Sequence, residues 1–191
     1  MVTLIRAAAL RGFDSLVAEL GGDAAGYLRR TGIDLAAVSD DDALLPTDQF
    51  ASCLTLAAGE LGHPELPLLL SQRQDLGVLG PLAVALESAP SVGEALACAD
   101  RFLFMHASAA TVSVAPDPRG EAGVLAIRLG PDALPLGLEL GLGLLHRLLL
   151  LFCSDVQFCA EGAESRGYGL RGAHLPGPPI AAESIYREVF R

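Results

Sequence analysis

The chain has 191 residues and a mass of 19.8 kDa, which suits one domain with a sizeable core. A hydrophobic content of 51%, a charged content of 19% and a mean hydropathy of +0.44 exclude a disordered chain. A formal net charge of −10 and a pI near 4.7 exclude duplex DNA as a partner of this stretch alone, because counterion release needs a basic footprint.

In chain order, the first hundred residues read mainly as helices. Leu4, Leu10, Phe13, Leu16, Val17 and Leu20 recur at helical spacing, and Gly21-Gly22 stops that helix. Asp23 caps a short helix through Arg30, ended by Gly32. Pro46-Thr47-Asp48 opens a third, with Phe50, Leu54 and Leu61 on one face and Gly62 as its stop. Residues 66–71 form a fourth short helix or an irregular apolar piece. Helices over 81–88 and 91–104 follow, the second with Ser91 as N-cap and Glu94 in the capping-box position.

The second half changes character. Residues 110–115 and 124–129 alternate as two strands of a hairpin around the turn-rich Pro116-Asp117-Pro118-Arg119-Gly120. An apolar helix over 136–152 comes next, then a strand over 155–160, a Gly- and Pro-rich loop over 161–179 and a short helix over 181–189. The fold class expected is α+β: a helical N-terminal half, then a small, mostly antiparallel sheet packed against a long apolar helix. The run 134–153 approaches membrane-spanning length, but Glu139, His146 and Arg147 within it argue for a buried or interface helix. Its apolar excess also predicts self-association as a symmetric dimer.

No catalytic set stands out, so no enzyme is expected: there is no Gly-x-Ser-x-Gly elbow, phosphate loop or His-Glu-x-x-His. Cys53, Cys98, Cys153 and Cys159 lack Cys-x-x-Cys spacing, and no export signal precedes them, so reduced core thiols in a cytoplasmic protein are expected. The four histidines are scattered, and neither a metal nor a cofactor is expected.

The informative polar residues are those stranded in apolar segments. Arg73-Gln74-Asp75 lies between the apolar 66–70 and a Leu-Gly-Val-Leu-Gly-Pro turn. Burying a charge unpaired costs several kcal/mol, so Arg73 and Asp75 form either a structural clamp at the edge of the core or a polar wall of a ligand pocket. Gly77 and Gly80 supply turns there, and Pro81 suits the first turn of a new helix. Glu139 and His146 stand seven residues apart on the long helix, hence on one face. Facing inward they line a cavity together; facing outward they are merely solvated. His106, with Arg101, flanks Phe102, Phe104 and Met105, where it either caps a last helical turn or touches a ligand. Arg128 is an anion partner if its strand face is concave. Glu139, His146, Arg73 and His106 are therefore the candidate ligand-binding residues.

Several blocks together carry a family resemblance. Leu10-Arg11-Gly12-Phe13 with Glu19-Leu20-Gly21-Gly22-Asp23, Tyr27-Leu28-Arg29-Arg30-Thr31-Gly32-Ile33-Asp34, Leu45-Pro46-Thr47-Asp48-Gln49-Phe50, Ala89-Pro90-Ser91-Val92-Gly93-Glu94-Ala95-Leu96 and Tyr186-Arg187-Glu188-Val189-Phe190 occur in that order. This series resembles the arabinose-binding-like, N-terminal effector domain of AraC-type transcriptional regulators, over nearly the whole chain. The resemblance implies one effector-binding and dimerising domain over residues 1–191, with a pocket between the sheet and the long helix. It also implies that a further strand and a helix-turn-helix DNA-binding domain follow, so that the chain is truncated before both. The partners expected are a small-molecule effector, apolar or amphipathic given the Leu-rich and Trp-free composition, and a second copy of the chain; DNA is reached through the C-terminal domain, and no membrane is involved. The rival reading is a structural oligomerisation domain without an effector.

Overall fold

The computed structural model describes residues 2–116, 123–130, 135–154 and 178–190. Within them the fold is α+β, with a helical N-terminal half and two small antiparallel sheets. The strand expected over 155–160 and all but the end of the loop expected over 161–179 lie outside the described residues.

The N-terminus departs from its helical spacing. Leu4–Arg6 is a strand, β1, and Ala7–Leu10 a 3₁₀ turn; the first α-helix, α1, covers only Phe13–Glu19. The cause is non-local. β1 pairs with Leu44–Pro46, β2, in the register Ile5↔Leu45. On its other side Arg6 N–H donates to the His106 carbonyl at 2.8 Å, and Ser108 N–H donates to the Leu4 carbonyl at 2.8 Å. Backbone bonds on both flanks outweigh a local periodicity worth tenths of a kcal/mol per residue.

The remaining helices follow their local signals more closely. Ala24–Arg30 is α2, and Leu35–Val38 is a short α3 capped by the Asp34 carboxylate. The helix α4 covers Thr47–Leu61 and ends at Gly62, whose left-handed backbone (φ +70) terminates it. Leu66–Arg73 forms α5, then Pro81–Glu87 α6 and Val92–Phe102 α7. Ser91 Oγ accepts from the Glu94 N–H, as the capping signal predicts. Thr111–Pro116 and Gly123–Arg128, β3 and β4, make the expected hairpin with Val112 opposite Ile127. Pro135–Ser154 is α8 and Glu183–Val189 is α9.

Among the described residues two large hydrophobic clusters form the core, and a small third one joins Leu68 to Ala181 and Val189. The first gathers Phe13, Phe50, Leu54 and Leu66 from the N-terminal helices, and the second gathers Leu82, Leu86, Ala99 and Val112 from α6, α7 and β3. The helix α8 belongs to both, giving Leu136 and Leu140 to the first and Leu145 and Leu148 to the second. A largely apolar helix is stable only when covered on most sides, and α8 is covered by α4, α5, the hairpin and α9. Its glycines serve close approach. A Cβ on Gly143 would stand 2.2 Å from Ser71 Oγ, so only glycine lets α8 lie this near α5. No described helix is long and apolar enough to cross a membrane.

Candidate functional site

Between the hairpin, α6, α7 and α8 lies a cavity of about 90 Å³. Its walls are almost wholly apolar: Leu82 and Leu86 from α6, Ala99 from α7, Val112 and Ile127 from the hairpin, and Gly141, Leu144, Leu145 and Leu148 from α8. Three polar residues, Gln74, Asp75 and Arg147, complete the lining. A water needs only some 10–15 Å³ by this measure, so the space admits a small organic molecule or several waters, and few wall groups could bind water.

The polar residues are held individually. Gln74 is buried (1% exposed), and its Nε2 donates to the carbonyls of Ala9 at 2.9 Å and Arg11 at 3.1 Å. Its Oε1 has no hydrogen-bond partner among the described residues. Asp75 accepts from the Gly77 N–H at 2.9 Å and pairs with Arg11 at 3.3 Å. Arg147 Nη1 donates to the carbonyl of Gln72. The segment 71–82, conspicuous in the sequence, thus supplies Gln74, Asp75, Leu76, Leu79 and Leu82 to the lining. Arg73 and Asp75 do not pair with each other. Arg73 reaches Glu19 on α1 through two hydrogen bonds, at 2.7 and 2.5 Å, on the surface. That pairing holds the Glu19 carboxyl below the ordinary carboxylate range.

The sequence-nominated residues fall in three places. Glu139 and His146 do share one face of α8 and are both buried, at 2% and 3% exposure. That face is turned to α9 rather than to the 90 Å³ cavity. The Tyr186 hydroxyl donates to Glu139 Oε1, the Ile180 N–H reaches the same oxygen at 3.4 Å, and the His146 ring meets the edge of Phe190 at 5.1 Å. Burial and the bonded Glu139 push the Tyr186 phenol upward. His106 is buried beside Arg6 at the foot of β1, where burial, then the Arg6 guanidinium, pushes its imidazolium down to about 4. Arg73 stands on the surface, and Arg128 is exposed at the end of β4. None of the four nominated residues lines the cavity.

The cavity walls instead come from residues that sequence reading assigns to ordinary core. Gln74 and Asp75 carry a signal, as polar residues inside an apolar stretch; of the Arg73 and Asp75 pair weighed as a clamp or a pocket wall, Asp75 is in the lining and Arg73 is not. Cys53 is buried, and burial pushes its thiol up to about 11 against an opposing hydrogen bond with Thr31, so it stays a protonated core residue. Among the described residues no group of three His, Cys, Asp or Glu side chains is placed to hold a metal ion.

Residues 21–191 match the family described as the arabinose-binding domain of AraC transcription regulator, N-terminal. The chain therefore belongs to that family. It is also similar to the HTH-type transcriptional regulator VirS of Mycobacterium tuberculosis, in the strains CDC 1551/Oshkosh and ATCC 25618/H37Rv. Each is 37% identical over 112 residues, which is 59% of this chain and 33% of the regulator. The match thus spans about one third of the length of these curated relatives.

Proposed function

As a member of the AraC arabinose-binding-domain family, the chain acts, we propose, as the ligand-sensing and dimerising domain of a cytoplasmic transcription regulator. The observation that carries this reading is the apolar cavity of about 90 Å³ with Gln74, Asp75 and Arg147 in its lining. Binding sites for small molecules are commonly enclosed apolar spaces with a few placed polar groups. A sugar fits this cavity poorly, since it carries a hydroxyl on nearly every carbon and each buried one needs a partner. The effector is accordingly an apolar or amphipathic molecule. By analogy with the helix-turn-helix relatives, its binding biases the arrangement of two copies and hence of DNA-binding domains attached to them. A coupling of about 1–3 kcal/mol is enough, provided the two arrangements bind the effector unequally.

Thermal unfolding against a panel of small apolar and amphipathic molecules, with sugars as the contrast, tests the reading. A true ligand at one hundred times its Kd raises stability by about 2.7 kcal/mol. Ala99→Leu, which fills the cavity from α7, removes that gain while the fold is retained. No shift from any member would leave a structural oligomerisation role.

A further inference from the structure

The cavity of the proposed effector site has one polar demand that nothing in the described chain meets. Gln74 spends both amide protons on the Ala9 and Arg11 carbonyls, at 2.9 and 3.1 Å. Two carbonyl acceptors fix which way the amide faces, since a flipped group would set oxygen against oxygen. The group left over is Oε1, a pure acceptor, buried and without a partner among the described residues, on a side chain that lines the cavity. An orphaned buried carbonyl in a native fold is uncommon and calls for a partner that arrives from outside.

The neighbours sharpen the choice. Asp75 follows Gln74 in the lining, but its carboxylate is largely in water and is already bonded to the Gly77 N–H and to Arg11. Arg147 is the cation of the lining, and its Nη1 already donates to Gln72. An entering carboxylate would gain from Arg147 but would lose its hydration among leucines and leave Gln74 Oε1 opposed by another acceptor. A hydroxyl satisfies Oε1 directly and, being neutral, needs no desolvation of charge among leucines.

Resting on the effector-site reading, we infer that Gln74 selects the head group, so that the cavity takes small apolar molecules ending in a neutral hydrogen-bond donor, of the alcohol class, in preference to carboxylates. The amide of Gln74 is a specificity residue and takes no part in any chemical step.

Calorimetric titration of the chain with three matched probes, 1-hexanol, 1-methoxypentane and hexanoate, tests it. The ether keeps the size and apolar area of the alcohol and lacks only the donor. The alcohol is expected to bind about tenfold tighter than the ether, as a hydrogen bond to a buried acceptor implies, with hexanoate weakest. Gln74→Met should bring alcohol and ether together while ether affinity is kept. Because that variant also frees the Ala9 and Arg11 carbonyls, the wild-type series alone decides if it fails to fold. Equal alcohol and ether affinity, or tighter hexanoate, overturns the inference and leaves the cavity as an effector site. Binding of none of the three at millimolar concentration, with Ala99→Leu behaving as wild type, overturns the effector-site reading and this one with it.

Discussion

Arg6 constrains the chemistry of its neighbours. Its guanidinium is buried, donates to the Val78 carbonyl at 3.4 Å and pairs with Asp42. Gly80 lies against it: a Cβ there would stand 1.9 Å from Arg6 Nη1, and the backbone holds φ +62. Gly80→Ala therefore combines a left-handed backbone cost with displacement of a buried cation. It is expected to destabilise by about 2–4 kcal/mol, read as a lowered denaturation midpoint at unchanged slope. His106, on the other flank, gives a pH signature. Above pH 6.5 its imidazole is neutral both folded and unfolded. Between 6.5 and about 4 the unfolded chain takes up a proton that the folded chain refuses, so stability falls as the pH falls. The loss over that window is about 3 kcal/mol, and urea titrations from pH 7 to pH 4 should show it. His106→Gln should flatten the window; a profile unchanged by the substitution would contradict the burial argument.

At the scale of elements, α8 separates two surfaces. Gly141, Leu144, Leu145 and Leu148 face the cavity, while Glu139 and His146 face α9. The Tyr-Arg-x-x-Phe residues at the chain's end do the docking, with Tyr186 bonded to Glu139 and Phe190 set against both His146 and Tyr186. Among the described residues, Tyr186→Phe leaves Glu139 Oε1 with the Ile180 N–H at 3.4 Å as its one donor. That change should cost about 1–3 kcal/mol and be concentrated in α9, where amide hydrogen exchange would speed up while the amides of α4 keep their protection. Equal acceleration in both helices would mean that α9 is no separate unit. The seven-residue spacing revealed that Glu139 and His146 share a face, because helical period is local information. Which neighbour covers that face is set by where residues 180–190 return, and no local pattern encodes such a return. The same limit explains β1: Leu4, Leu10 and Phe13 keep helical spacing, yet pairing with β2 and the 106–108 segment decides their conformation. The hairpin, the long helix and the Ser91 cap were legible because each depends on near neighbours in sequence. A pocket between the sheet and the long helix follows from the family resemblance, but its lining residues were not legible, since leucines lining a void and leucines filling a core look alike.

At the scale of the whole molecule, the apolar excess and the charge point to different partners. A net charge of −10 repels duplex DNA, so these residues alone should give no saturable, sequence-selective signal in fluorescence anisotropy at low salt. For self-association the long helix suggested itself first from its composition. The fold uses much of that helix internally, since Leu136, Leu140, Leu145 and Leu148 are buried within one copy. Among the described residues a denser exposed patch lies elsewhere. Phe102, Phe104 and Met105, at the end of α7 and in the turn after it, are 36%, 57% and 47% exposed, and the Arg101 guanidinium stands over the Phe102 ring at 5.3 Å. Adjacent aromatic and methionine side chains left in water favour association, and copies of one chain usually pair about a two-fold axis. Light scattering across a concentration series should give a mass near twice 19.8 kDa. The double substitution Phe104→Ser and Met105→Ser should return it to 19.8 kDa without loss of helical signal, because both side chains lie outside the two buried clusters. A wild-type chain that stays monomeric at every concentration would sink the dimer. A double variant that still pairs would move the contact to another face.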